Sequence, residues 1–317
     1  MTRNKSHGCV PMGLSKLKGL SLIHQCVAQH LRLLGFGATL SCLLAIPSAA
    51  QAKDSLIWLM RDLPPLTIFD GPQKNQGVID RLLPALIASM PEYQHTTFRV
   101  NRARGMQMLL EPSFTCDPSL LWSPERAKHI TYSIVAYRVP ANGIVIRHAD
   151  REALAPFIIG NSVDLERLLA DRDKKLGVIA ERSYGQVVDR LLQQAPSNSL
   201  AAHYGNDALG SLLQMQRLGR LTALLGYWSE IRYQAQQQGI SPDELEFYRL
   251  RGTDKYQSIH IACSDTEQGR QAITHINTLL RGPGQTRLVE FYAQWLDPKM
   301  RSEYLEDAKR FFQNETP

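Results

Sequence analysis

The chain has 317 residues, of which 44% are hydrophobic and 21% are charged, and these values exclude a disordered, collagen-like or multi-spanning membrane chain. Its net charge of +6 comes largely from residues 1–52, which contain five Lys or Arg and no Asp or Glu. The remaining residues carry 31 basic against 30 acidic side chains, and this near-neutral balance argues against a nucleic-acid partner.

The first 52 residues have the layout of a secretory leader. An apolar stretch at 33–46, LLGFGATLSCLLAI, follows a basic region and precedes the small-residue sequence PSAAQA at 47–52. This order predicts a signal peptide over 1–52 that is cleaved near Ala52, and therefore a periplasmic mature protein. An uncleaved membrane anchor is the alternative, although the apolar stretch is shorter than the ~20 residues that a bilayer requires. A later translation start at Met12 also stays open.

Beyond residue 53, short apolar strands alternate with helical patterns. We predict strands at 55–60, 95–100, 118–122, 144–146, 175–180, 221–225 and 258–262, and helices after Gly77 and at 103–110, 187–192, 208–218, 231–238, 269–280 and 288–295. Ser123 and Pro124 suit the N-cap and first position of a further helical turn. This alternation predicts an α/β architecture with mainly parallel sheets.

Cysteine usage fits an exported protein. Cys9, Cys26 and Cys42 lie in the leader, so the mature chain keeps only Cys116 and Cys263. Two cysteines in an oxidising compartment predict one disulfide, with two separate buried thiols as the alternative. Since no C-x-x-C or Cys/His ligand spacing occurs, we expect no metal site and no cofactor.

Several short motifs resemble one family of binding proteins. They are LPPL at 63–66, GVID at 77–80 and SPERAK at 123–128, followed by Tyr132 and Ser133. Together they resemble the extracellular solute-binding proteins of family 3, the amino-acid receptors of ABC importers. The resemblance covers residues 54–300. It implies a two-lobed fold of type II, in which each lobe has a mixed, mainly parallel sheet flanked by helices and hinge strands join the lobes.

The resemblance also implies how the chain divides. Lobe one is expected at 53–145 and 250–317, and lobe two at 146–249. Cys116 and Cys263 would then both lie in lobe one. A bridge between them would join the two sequence-distant parts of that lobe without obstructing closure of the lobes.

Two ligand-binding points are carried over from the family. An Arg at the position of Arg126 pairs there with the carboxylate of a bound amino acid, and a guanidinium matches a carboxylate bidentately. The alternative is an exposed arginine on a helix surface. In lobe two, Ser183 and Tyr184 lie where the family has a helix start suited to an anionic group. The alternative there is an ordinary N-cap at Ser183.

The chain departs from the family where an amino-acid ammonium would bind. Tyr227 stands in place of the expected Asp, and no carboxylate follows until Glu230. Leu121 replaces the usual Ser or Thr. An ordinary α-amino acid is therefore not favoured. Asp62, from the other lobe, could supply the missing carboxylate.

Aromatic residues near these positions suggest a different kind of ligand. Trp122, Tyr184, Tyr227 and Trp228 could stack against an aromatic, heterocyclic or peptide-like anion. Packing in the core or hinge is the alternative for each of them.

The sequence therefore favours a monomeric binding protein, not an enzyme. Its partners would be a small, carboxylate-bearing ligand and either an ABC permease or a membrane signalling receptor. A dehydratase-like enzyme on the same scaffold, or a sensor or structural protein, is the alternative. No G-x-S-x-G, H-E-x-x-H or phosphate-binding glycine loop occurs, and His203, His260 and His275 are scattered.

Overall fold

A computed structural model of the chain describes residues 53–205 and 207–312. The predicted signal peptide and the cleavage point near Ala52 lie outside these residues. None of the helices in these two stretches is both long enough and apolar enough to cross a membrane.

The first part of the chain alternates strands and helices as expected. Its elements are β1 (Ser55–Met60), α1 (Val78–Ser89), β2 (Gln94–Arg99), α2 (Arg102–Leu110), β3 (Thr115–Leu121), β4 (Ile130–Tyr132) and β5 (Tyr137–Pro140). Helix α1 starts behind Gly77, whose N–H donates to the Asp80 carboxylate at 3.0 Å. A Cβ at Gly77 would lie 2.3 Å from the carbonyl oxygen of Leu66, so the chain requires glycine at this close approach.

The middle of the chain builds a second set of strands and helices. Its elements are β6 (Gly143–Arg147), α3 (Arg151–Leu154), β7 (Ile158–Ile159), β8 (Ser162–Val163), α4 (Leu165–Ala170), β9 (Leu176–Ile179), α5 (Gln186–Gln194), β10 (Leu200–His203), α6 (Ala208–Arg217), β11 (Ala223–Gly226), α7 (Trp228–Gln237) and β12 (Leu245–Leu250). The chain then ends in β13 (Tyr256–Ser264), α8 (Glu267–Leu279), α9 (Gln285–Ala293) and α10 (Pro298–Ala308).

The strands form two sheets, one for each lobe. The first has the order β2-β1-β3-β13-β4, with β5 also paired to β13, and the second has the order β10-β9-β11-β6-β12-β8-β7. Strand β1 is parallel to β2 and β3, and β9 is parallel to β10 and β11. This confirms the two-lobed α/β fold.

Both sheets are mixed, as the two-lobed fold of type II implies. Strand β13 pairs antiparallel with β3, β4 and β5, and β6 pairs antiparallel with β11 and β12. Each sheet is therefore mixed, because these strands follow a passage of the chain from one lobe to the other. The passages between the two sheets lie at 141–142 and 251–255.

Each sheet is covered on both faces by apolar side chains. In β1, Leu56 and Trp58 point into one core and Leu59 into another, as the two-residue period of a strand requires. In β6, Ile144 and Val145 are divided in the same way. Strands buried on both faces read as continuous apolar runs, which is why both were recognisable in the sequence.

The predicted disulfide is present between Cys116 and Cys263. The two cysteines lie directly opposite each other on β3 and β13, and both are fully buried. The bridge therefore ties the first part of lobe one to the strand that returns from lobe two, across a sequence separation of 147 residues.

Removing this bridge should lower the free energy of unfolding by about 2 to 5 kcal/mol, since it restricts the unfolded chain over a long loop. Urea unfolding of Cys116→Ala/Cys263→Ala, with and without a phosphine reductant, measures the effect. Wild-type protein should lose stability on reduction, whereas the double variant should not respond. Equal stability of oxidised and reduced wild type would contradict the prediction.

Candidate functional site

A cleft of about 600 Å³ lies where the carboxyl ends of strands from both sheets face each other. From lobe one it is lined by residues 61–64 after β1 and 99–103 after β2. From lobe two it is lined by 179–182 after β9 and by 203–205 and 207–209 after β10. Open α/β sheets bind ligands at the carboxyl ends of their strands, so this cleft is the candidate site.

The first charged group of the cleft is a buried ion pair within lobe one. The Arg61 guanidinium lies 3.0 Å from a carboxylate oxygen of Asp117, and it also donates to the carbonyl oxygen of Ser119 at 2.5 Å. Both charged side chains are at least nine-tenths buried. Since Asp117 sits on β3 beside β1, neighbouring strands of one sheet neutralise this cation.

A second buried ion pair belongs to lobe two. Arg182 follows β9 and donates two parallel hydrogen bonds, of 2.7 and 2.8 Å, to the Glu230 carboxylate on α7. Burial alone would lower the pKa of Arg182, but the attraction of Glu230 outweighs it and the pKa is raised. The Arg182 guanidinium also lies 4.9 Å from the ring centroid of Tyr227, within cation–π range.

A third arginine, Arg102, lies beside these pairs but has no partner of its own. Across 53–205 and 207–312, its guanidinium makes no hydrogen bond and no ion pair, although it lines the cleft. Burial lowers the pKa of Arg102 to about 9, and the positive charges of Arg61 and Arg182 act in the same direction. Glu230 also attracts Arg102, but that carboxylate is already paired with Arg182, so Arg102 is left without an ion-pair partner of its own in the described part of the chain.

Carboxylates occupy another part of the same cleft. Asp62, after β1, lies 3.2 Å from Arg99, and this pair is partly exposed. Burial raises the pKa of Asp62, and the charges of Asp70 and Asp207 raise it further against the attraction of Arg99. Because Asp62 belongs to lobe one and Asp207 to lobe two, acidic groups from both lobes share one region.

Arg126 is placed in a smaller pocket beside the main cleft. This pocket has a volume of about 40 Å³, and Ser183 and Tyr227 also line it. The Arg126 guanidinium donates to the carbonyl oxygen of Leu121 at 3.4 Å. The Ser123 hydroxyl oxygen accepts the Arg126 N–H at 3.3 Å, but the 3-10 turn begins at Arg126 with Glu125 as its N-cap, not at Pro124 behind Ser123. Arg102, Arg182 and Glu230 line both this pocket and the main cleft, so Arg126 lies in a narrow recess that adjoins the cleft.

The predicted anion site at the start of α5 is filled by the protein itself. The Asp189 carboxylate accepts hydrogen bonds from the Ser183 hydroxyl at 2.5 Å and from the Tyr184 N–H at 2.7 Å. The alternative of a Ser183 N-cap is wrong, because the helix begins at Gln186 with Gly185 as its N-cap. An intramolecular carboxylate thus takes the donors that a ligand would otherwise use.

The aromatic candidates do not gather around the main cleft. Tyr184 is buried in the core of lobe two, and its hydroxyl accepts the N–H of Ile179 at 2.8 Å. Trp228 stacks on Phe247 with 5.9 Å between ring centroids. Trp122 is 48% exposed and lines neither pocket. Of the residues expected to bind ligand, only Asp62 lines the main cleft.

Helix α7, which carries Glu230, also connects the two lobes. The Ser229 hydroxyl lies 3.0 Å from the hydroxyl of Tyr292 on α9. Arg232 lies 3.5 Å from Asp297, which caps α10. Motion of α7 relative to the terminal helices would therefore change both the site and these contacts.

Sequence reasoning missed Arg61 and Arg102, although a local signal existed for Arg102. The sequence Asn101-Arg102 follows a strand, and Asn is a strong N-cap. An arginine at the first helical position opposes the helix dipole, which favours anions there. Because Arg102 at this position does not stabilise the helix, its presence directly after a strand indicates a functional role.

Nowhere in the two described stretches do three or more His, Cys, Asp or Glu side chains come together in a way that could hold a metal ion.

Comparison with known proteins shows a shared fold. No protein-family model and no curated protein sequence matches the chain. Among solved structures, a histidine kinase sensor domain with similarity to periplasmic binding proteins is 15% identical and has a TM-score of 0.60, covering 77% of this chain and 96% of its own. The substrate-binding protein of an amino-acid ABC transporter is 10% identical and has a TM-score of 0.56, covering 76% and 99%.

A third structure with this fold is an ancestral amino-acid-binding protein described as a precursor of cyclohexadienyl dehydratase. It is 14% identical and has a TM-score of 0.57, covering 77% of this chain and 95% of its own. The chain therefore has the two-lobed fold of periplasmic solute-binding proteins, as the sequence motifs indicated.

Breaking the Arg182–Glu230 pair should destabilise the protein strongly. Arg182→Met or Glu230→Met leaves one charge buried alone, and we expect a loss of about 3 to 5 kcal/mol in the free energy of unfolding. The double substitution should cost less than either single one, because no charge is left uncompensated. Urea unfolding of the four proteins measures the coupling.

The exposed pair of Arg270 and Asp265 provides the control, since its partners are surrounded by water. Arg270→Met should change the stability little. Additive effects of Arg182→Met and Glu230→Met would show that the two side chains do not act as a pair.

Proposed function

We propose that this protein is an exported solute-binding protein, which captures a small carboxylate-bearing solute between its two lobes in the periplasm. The observation that carries the proposal is the cleft of about 600 Å³ at the facing carboxyl ends of the two sheets. Its volume lies within the range of small-molecule sites, and its walls bring charged side chains from both lobes together. The leader-like residues 1–52 support export.

Binding would act through closure of the lobes. The chain passes twice between the sheets, at 141–142 and 251–255, and such paired connections form a hinge. A solute stabilises the closed state only if it binds that state more tightly than the open one. Contacts from both walls of the cleft to one solute would supply this difference in affinity.

The closed protein would be recognised by a membrane partner. An ABC permease or a membrane signalling receptor fits this role, since the fold occurs both in an ABC transporter's substrate-binding protein and in a histidine kinase sensor domain. We expect the protein itself to be a monomer.

Binding is favoured over catalysis. The buried carboxylates beside the cleft, Asp117 and Glu230, are each held by an arginine, so neither is available as a general base, and a dehydratase-like enzyme would have to use another group of the cleft, such as Asp62 or Asp207. The dehydratase-like alternative would be supported by turnover of a bound compound.

The test is a ligand screen on the protein purified after expression of the full chain. Thermal unfolding is followed with amino acids, dipeptides, aromatic acids, nucleosides and polyamines. A true ligand at 100 times its Kd should stabilise the protein by about 2.7 kcal/mol. It should also lower the radius of gyration in small-angle X-ray scattering.

Trp122→Ala serves as the control, because Trp122 is exposed and lies outside both pockets. It should leave the affinity for the ligand unchanged. A full panel that raises neither the unfolding temperature nor the compactness would count against the proposed function.

A further inference from the structure

We propose that the ligand's carboxylate binds at the first turn of α2, where Arg102 and Ala103 line the cleft, and that it is held by the Arg102 guanidinium and the backbone N–H groups of these two residues. This inference rests on the proposed function and deepens it. The sequence motifs predicted that Arg126 binds the anionic group. The site proposed here lies on a different element of the same lobe.

The backbone of this turn is prepared for an anion. The side-chain oxygen of Asn101 accepts the N–H of Arg104 at 2.9 Å. The backbone carbonyl oxygen of Asn101 accepts the N–H of Gly105, also at 2.9 Å. The N–H groups of Arg102 and Ala103 have no acceptor among residues 53–205 and 207–312. Helix geometry leaves these groups unpaired, and the dipole of the nine-residue helix favours negative charge beside them.

The side chain of Arg102 supplies a second and independent observation. It lines the same cleft, and its guanidinium has no partner in the part of the chain that the structure describes. A cation at a helix N-terminus is unfavourable, and two further guanidiniums nearby make it more so. The charges of Arg61 and Arg182 both act to lower the pKa of Arg102. A bound carboxylate would reverse each of these effects.

The neighbouring arginines cannot bind the ligand's carboxylate without giving up their own ion pairs. Arg61 is committed to Asp117, and Arg182 to Glu230, in pairs that are almost fully buried. If either cation turned to a ligand, it would leave a carboxylate buried without compensation, which costs several kcal/mol. Arg102 can bind an anion without breaking any described contact.

The acidic part of the cleft restricts the charge of the ligand. Asp62 and Asp70 already share Arg99, and the carboxylate of Asp207 is paired with no cation in the described part of the chain. A dianionic phosphate would be repelled by these groups. A singly charged carboxylate on a solute of low net charge is compatible with them, and a cationic group on that solute could approach Asp207.

The experiment compares four proteins with the hits of the ligand screen and with two simple probes, sodium acetate and sodium phosphate at matched ionic strength. The variants are Arg102→Met, Arg102→Lys and Arg126→Met, with Arg104→Met as the matched control. Arg104 lies on the same helix, pairs with Glu111 at 3.6 Å and does not line the cleft. Affinities are measured by calorimetry, and thermal unfolding is recorded with and without each probe.

We expect Arg102→Met to bind the hits about 10- to 100-fold more weakly, the effect of losing charge-assisted hydrogen bonds. Arg102→Lys should fall between Arg102→Met and wild type, because it keeps the charge but not the planar fork. Arg104→Met and Arg126→Met should bind as wild type does. Without ligand, Arg102→Met should unfold at the same or a higher temperature, since an uncompensated cation is removed.

The outcomes separate this inference from the proposed function. Hits that bind Arg102→Met as well as wild type, or that are lost in Arg126→Met instead, would overturn the inference and leave the function standing. An unproductive screen in which acetate still stabilises wild type but not Arg102→Met would support the anion site and count against the function as stated. If no probe distinguishes Arg102→Met from wild type, or phosphate stabilises wild type more than acetate does, the proposed carboxylate site is wrong.

Discussion

Positive charge buried beside the cleft must be compensated, and this constraint organises the site. Two of three neighbouring guanidiniums are neutralised inside their own lobes, Arg61 by Asp117 and Arg182 by Glu230. In each pair the carboxylate compensates a buried positive charge, which alone would destabilise the folded protein by several kcal/mol. The third, Arg102, is left for a group from outside the chain. The arrangement explains how a cleft with so many charges can be stable when empty and still attract an anion.

Lobe two also satisfies its own hydrogen-bond donors from within the chain. Asp189 fills the donors at the start of α5, where binding proteins of this fold are expected to hold an anionic ligand group. Helix α7 carries Glu230 toward the cleft while its next turn contacts the terminal helices of lobe one through Arg232. The residues that set the charge of the site are therefore coupled to the elements that would move during closure.

Most of the fold could be predicted from periodicity. Strands β1 and β6 were found because both of their faces are buried, and α1 was found because apolar residues recur at helical spacing after Gly77. Strands β4, β5, β7 and β8 and helices α3 and α4 are short and were not predicted. Strands β10 and β12 and the final helix α10 were missed as well. Their exposed faces carry mixed polar residues that give no clear period, and their conformation is stabilised mainly by pairing and packing with distant segments.

The sequence by itself determined the class of fold, the leader-like segment and the candidate disulfide, because these depend on local patterns and on the number of cysteines. It also selected Asp62, which lines the main cleft. Only the tertiary structure decided which cations are free. Arg126 and Arg102 both start a helical segment after a strand, and the Asn101 cap before Arg102 is the one local difference. Their surroundings differ because distant carboxylates neutralise the cations around Arg102 and leave that one without an ion-pair partner among the described residues, while Arg126 lies in a narrow recess beside the cleft.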